Sequence, residues 1–110
     1  MDLNLILLCG RLATDPELRV FDSGNRLLRY LVTIRAEYPK KRVDVIPVTL
    51  WNPSDEHVDC GPRKGQRVIV VGSVQRRFWE AHDGRRSRIE VVAESVEARD
   101  PAELETAAAS

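Results

Sequence analysis

Cysteine is scarce in this chain: Cys9 and Cys60 are the only two in 110 residues. That number does not build a small disulfide scaffold and suits a reducing compartment, although a single bridge between them remains compatible with the sequence. Long hydrophobic runs are also missing, since no stretch approaches the ~20 apolar residues that a membrane helix needs. Asp2 and Asn4 stand where a secretory signal carries positive charge, and no small-residue cleavage site follows the Leu-rich run. The sequence is therefore expected to be cytoplasmic, with no membrane association. Lysine contributes only 3 of the 17 basic residues, a bias that a GC-rich genome explains as well as function does. Catalytic patterns are lacking too. No glycine-rich phosphate loop is present and no nucleophile stands beside an obvious base, so no enzyme activity is expected. His57 and Cys60 form an H-x-x-C pair, half of a structural zinc site, and neither Cys9 nor His82 is near in sequence. No metal and no cofactor are expected, and Cys9 reads as a small buried thiol.

What is present fits one domain with a real core: 43% of the residues are hydrophobic. The formal charge is zero. Its distribution is uneven, because residues 1–93 hold 16 basic against 12 acidic side chains and the last 17 residues hold one against five. A mildly basic body thus precedes a mildly acidic tail.

Leu3 to Arg11 has the branched, apolar character of a buried strand, with Gly10 allowing a bend or a close backbone approach. Thr14 to Arg19 reads as a connection turning at Asp15-Pro16, and Asp22-Ser23-Gly24-Asn25 as a second turn. A second strand follows up to Tyr38, with Arg29, Leu31, Thr33 and Arg35 on one face and Leu28, Tyr30, Val32 and Ile34 on the other. Beyond the basic loop Pro39–Arg42, Val43 to Trp51 forms a third strand. Its Pro47 demands an edge or a bulge, because proline has no N–H for a ladder. Asn52 can cap a short helix that begins at Pro53 and stops at Gly61-Pro62. Gly65 to Arg77 and Arg88 to about Arg99 are the fourth and fifth strands, and 100–110 is expected to be a flexible tail.

The stretch Gly72 to Val92 reads as a long β-hairpin whose turn carries Asp83-Gly84. Arg76, Arg77, Arg85, Arg86 and Arg88 gather there around Phe78 and Trp79. Such a surface can neutralise phosphates and stack bases; an ordinary solvated arm would have the same composition. Five strands with one helix between the third and fourth suit an all-β Greek-key barrel of the OB type.

The residues say more than this pattern. LILLCGRLATDPELRVFDSGNRLLRYLVTIR resembles the opening of bacterial single-stranded DNA-binding proteins, with Gly10, Arg11, Leu12, Asp15, Pro16, Glu17, Leu18, Arg19 and Gly24 matching in place. KGQRVIVVGSVQRRFWEAHDGRRSRIEVVAESVE resembles that family's strand, long hairpin and closing strand. The resemblance covers about Leu3 to Arg99 and implies an OB-fold domain over 1–99, a homotetramer and single-stranded DNA as partner, without catalysis. It places stacking aromatics at Trp51 and Trp79, and loosely at Tyr38; Val45 stands where some members carry a further aromatic. Phe78, next to Trp79, is a fourth candidate, though alternation along a strand points it inward if Trp79 points out. Arg11, Arg29, Arg35, Lys40, Lys41, Arg76, Arg77, Arg85, Arg86 and Arg88 are candidates for phosphate contact.

Two departures stand out. NPSDEHVDCGPR is shorter and more broken than the family's Ala- and Leu-rich helix. The family's Gly/Pro/Gln-rich linker and acidic tip, through which it recruits replication and repair proteins, are not matched by an ending in Ala-Ala-Ala-Ser, so that recruitment is not expected. A specialised paralogue fits as well as a main replication protein. The expected function is sequence-tolerant single-strand binding that protects DNA in replication, recombination or repair. An OB-fold protein-interaction subunit and an OB-fold RNA binder are the alternatives.

Overall fold

The computed structural model describes residues 1–99. The expected tail at 100–110 lies outside the described residues. Six strands and one helix run in the order β1 (Ile6–Leu12), β2 (Glu17–Val20), β3 (Arg26–Ala36), β4 (Arg42–Trp51), α1 (Asp55–Cys60), β5 (Arg67–Ala81) and β6 (Gly84–Ala98). Hydrogen bonding links them as β1-β5-β6-β4-β3-β2, and a further β1–β3 pairing closes five of them into a barrel. All pairings are antiparallel except a short parallel contact of β4 with β6 at Val48↔Val91 and Thr49↔Val92.

Closure depends on β3, which divides one edge between two partners. Its first half pairs with β2 and its second half with β1, through Arg11↔Thr33 and Leu12↔Val32. Gly10 makes that contact possible: a Cβ there would run into the Thr33 carbonyl oxygen. The close approach expected of Gly10 is thus used to close the barrel.

Alternation fills the interior. Leu28, Tyr30 and Val32 of β3 meet Leu50 and Val48 of β4, Val68 and Val70 of β5, and Ala93 and Val96 of β6, with Leu12 of β1 completing the cluster. The facing expected for β3 is found. Tyr30 is fully buried, and its hydroxyl has no hydrogen-bond partner among the described residues. Removal from water raises its pKa from 10.0 to about 12, with Arg63 acting to lower it and Glu97 to raise it. Pro47 lies opposite Leu31, one residue before the short β4–β6 contact, where that edge of β4 has no ladder to lose.

Four expectations change. Glu17–Val20, read as part of a connection, is a short strand added to β3, because pairing with Arg26–Arg29 satisfies a backbone whose four side chains are all exposed. The first strand begins at Ile6, and its residues are not uniformly buried: Leu3, Leu5 and Leu7 are exposed, and Cys9, expected to be buried, is exposed with them. A strand on a one-layer barrel has an outer face, and every second residue of this apolar run falls on it. The helix is capped by Ser54, whose hydroxyl accepts from the His57 N–H at 3.1 Å. Asn52 instead takes a positive φ of 49° and accepts from the Arg26 N–H at 3.1 Å, turning the chain out of β4. Finally, the hairpin turn is His82-Asp83, since Ala81 pairs with Gly84. Gly84, at φ 121°, supplies the positive-φ position just after the turn.

The helix joins β4 to β5. Val58 packs on the core, and His57 Nε2 lies 2.8 Å from the Val96 carbonyl oxygen. That contact gives the histidine of the H-x-x-C pair a structural role; Cys60 is exposed. The arrangement is a five-stranded OB-type barrel with one short helix, an added β2 and a hairpin whose arms run past the barrel wall.

Candidate nucleic-acid interface

Cross-strand partners share a face, so the ladder assigns the outward side chains. On β3 and β4 these are Leu27 opposite Trp51, Arg29 opposite Thr49, Thr33 opposite Val45, and Arg35 opposite Val43. On β2, Arg19 lies opposite Leu27 and Glu17 opposite Arg29. One arm face of the hairpin carries Arg77, Trp79, Arg86 and Arg88, because Arg77 pairs with Arg88 and Trp79 with Arg86.

These two surfaces meet. Arg19, Phe21, Leu27, Arg29, Arg77, Trp79 and Arg88 line a groove of about 240 Å³. Trp51 stands beside it, 36% exposed, with its ring 5.7 Å from that of Phe21 at an interplanar angle of 28°. The Arg77 guanidinium lies 6.0 Å from the Trp51 ring centre, and that of Arg88 lies 5.7 Å from the Trp79 ring centre. Rings and guanidiniums are thus layered around the groove: Arg77 on Trp51, which stacks on Phe21, and Arg88 on Trp79, with buried Leu27 in the lining. Its arginines are lightly held. Arg19 approaches Glu17 at 3.6 Å and Arg88 approaches Glu90 at 3.9 Å, while Arg29 Nε is buried without an acceptor. Long, partly exposed ion pairs contribute about 0–1 kcal/mol, so a phosphate can replace the carboxylate at small cost.

The remaining candidates are placed elsewhere. Phe78 does not pack inward: it is 52% exposed on the opposite face of the hairpin, under the Arg85 guanidinium at 4.6 Å. From Gln75 onward the first arm has left the barrel, so there is no interior for either aromatic to enter. Arg76 shares the Phe78 face and donates to Ser87 Oγ at 3.2 Å. Arg86, on the Trp79 face, is held at the turn by Asp83. Tyr38, Lys40 and Lys41 are exposed in the loop joining β3 to β4, at the opposite end of β4 from Trp51. Nine residue steps at about 3.3 Å each put roughly 30 Å between them. Arg11 and Arg35 lie together with Arg67 in a separate recess.

Sequence reasoning missed Phe21, Arg19 and Arg67. The alternation of Arg19 and Phe21 just before the Asp22-Ser23-Gly24 turn was the available signal for the first two; treating the segment as a connection hid it. Arg67 opens an apolar strand and carries no local sign of a site.

The fold and groove define an OB-type barrel with a basic, aromatic outer face suited to a single nucleic-acid strand. The model of the single-strand binding protein family matches residues 3–99, and the chain belongs to that family. It is 33% identical to single-stranded DNA-binding protein 2 of Listeria monocytogenes, over 90% of this chain and 65% of that protein. It is 32% identical to the single-stranded DNA-binding protein of Halalkalibacterium halodurans, over 90% of this chain and 62% of that protein. It is 33% identical to the single-stranded DNA-binding protein of Clostridium perfringens, over 84% and 63% respectively. The chain spans less than two thirds of the length of these curated relatives.

Proposed function

We propose that residues 1–99 form a single-stranded DNA-binding domain that holds the strand by stacking and phosphate neutralisation, without catalysis. The observation that carries this reading is the layered groove, in which Trp51, Phe21 and Trp79 meet Arg19, Arg29, Arg77 and Arg88 from three separate parts of the chain. Bases stack between the rings, each contributing about 1–3 kcal/mol with little regard for sequence, while the guanidiniums turn to the backbone. Shielding of single strands in replication, recombination or repair follows from such a sequence-tolerant grip. Tyr38, Phe78, Lys40, Lys41, Arg76, Arg85 and Arg86 extend the candidate surface beyond the groove.

We further propose self-association through β1. Leu3, Leu5 and Leu7 are exposed, and the outer face of β1 at Leu7 continues into Val71 of β5, short of the recess at Cys9. An apolar strip of this kind is suited to burial against a second copy, and a homotetramer is the proposed assembly.

Titration with oligothymidylate tests the binding reading. Tryptophan fluorescence is expected to fall on binding, and affinity to fall with salt at a log–log slope of about −3, from roughly 0.7 per phosphate at four arginines. Unchanged fluorescence with no gel shift at low salt refutes it.

A further inference from the structure

The recess off the aromatic face is built by three strands in one row. Register sets Thr33 of β3 opposite Arg11 of β1, and Arg11 opposite Arg67 of β5. Arg35, two residues beyond Thr33, projects from the same face of β3. These side chains and Cys9 line a space of about 290 Å³. Among the described residues none of the three arginines enters an ion pair. Arg11 Nη1 donates to the Gly65 carbonyl oxygen at 3.0 Å, and Arg67 Nε is buried with no acceptor. Like charges opposite one another in a sheet repel, and a buried N–H without a partner is costly. An anion in the recess relieves both.

We propose that this recess holds a backbone phosphate of the strand bound in the groove, so that the DNA runs along the outward face of β3 from Arg29 to Arg35. The proposal rests on the single-strand reading above. Leu27 and Arg29 lie at the groove, and Thr33 and Arg35 at the recess, on one continuous face. Eight residue steps from Leu27 to Arg35 cover about 26 Å, a span for several nucleotides and within the reach of one OB-fold site. Guanidinium forks match the geometry of phosphate oxygens, and the Thr33 hydroxyl adds a neutral donor.

Cys9 reports on the recess, because it is exposed there while Cys60 lies by the helix. The test uses the full chain carrying C60S, with oligothymidylates of about 4 and about 16 nucleotides, spanning the usual OB-fold site sizes. Both oligomers are expected to quench tryptophan fluorescence, but only the longer one to slow alkylation of Cys9. R67Q is expected to abolish that protection and to reduce the salt slope of the longer oligomer by about 0.7, leaving the shorter one unchanged. R35Q, at an exposed side chain, repeats the measurement where Arg67 replacement perturbs folding. Quenching by both lengths with equal Cys9 alkylation overturns this proposal and leaves the binding reading standing. Protection by inorganic phosphate alone, with an unchanged slope in R67Q and R35Q, identifies a small-anion site and also overturns it. Absence of quenching by either oligomer overturns both.

Discussion

Trp79 and Phe78 are neighbours in sequence with opposite prospects. Trp79 faces Arg88 and the groove, whereas Phe78 faces Arg85 across open solvent on the other side of the arm. Truncating Trp79 removes one wall of the groove, so W79A is expected to weaken oligothymidylate binding by about 1–3 kcal/mol, roughly 5- to 150-fold. F78A is expected to cost less than W79A; anisotropy of a labelled oligomer compares the two. Alternation told from the sequence that the pair must part, but not that the arm had already left the barrel. Tyr30 makes a second residue-scale case. Its pKa is raised to about 12 by burial, so the unfolded chain loses its proton first as pH rises above 10. The native state then binds more protons than the unfolded one, and stability falls with rising pH. The stability held below pH 10 is expected to decline between pH 10 and about 12, with Y30F losing less of it in urea melts at those pH values. At neutral pH Y30F should be close to neutral in stability, because the hydroxyl it removes has no partner.

At the scale of elements, the barrel is closed by a contact of two residue pairs between β1 and β3. Gly10 lets the Thr33 backbone approach there, and a methyl group would force those strands apart. G10A is expected to destabilise the domain by about 1–3 kcal/mol, read as a lower Tm at unchanged β-sheet signal. The strands themselves were readable, because β-branched runs bounded by Gly, Pro and Asp leave few alternatives. β2 was not, since four exposed side chains carry no burial pattern and the strand exists only by virtue of the edge of β3. The helix cap was misplaced for a related reason. Asn52 and Ser54 have equal chemistry for capping, and only the demand of the Arg26 N–H for an acceptor drew Asn52 away.

For the whole molecule, the outer surface divides into a polar, aromatic half around the hairpin and an apolar strip along β1. A charge placed in that strip leaves the barrel interior untouched, because Leu7 is 68% exposed. L7E is therefore expected to keep the fold but to reduce the sedimentation coefficient relative to the unaltered chain if copies associate through β1. An unchanged coefficient from an assembled protein would place the interface elsewhere. Assembly and DNA binding then separate: W79A should leave sedimentation unchanged, and L7E should leave the intrinsic groove intact.

By itself the sequence determined the order of the five barrel strands, the short helix, the long hairpin and the family, because periodicity, turn residues and the Gly-Arg-Leu and Asp-Pro-Glu-Leu-Arg segments are local properties of the chain. It also marked Trp51, Trp79, Arg29, Arg77 and Arg88 as candidates. Only the tertiary structure decided which of them lie together. Barrel closure brings Arg19 and Phe21 against Trp51, folds the Arg77–Arg88 arm over them, sends Phe78 to the far side and gathers Arg11, Arg35 and Arg67 into a second cluster. Those juxtapositions join residues far apart in the chain through register and sheet curvature, and neither is written in any local stretch of sequence.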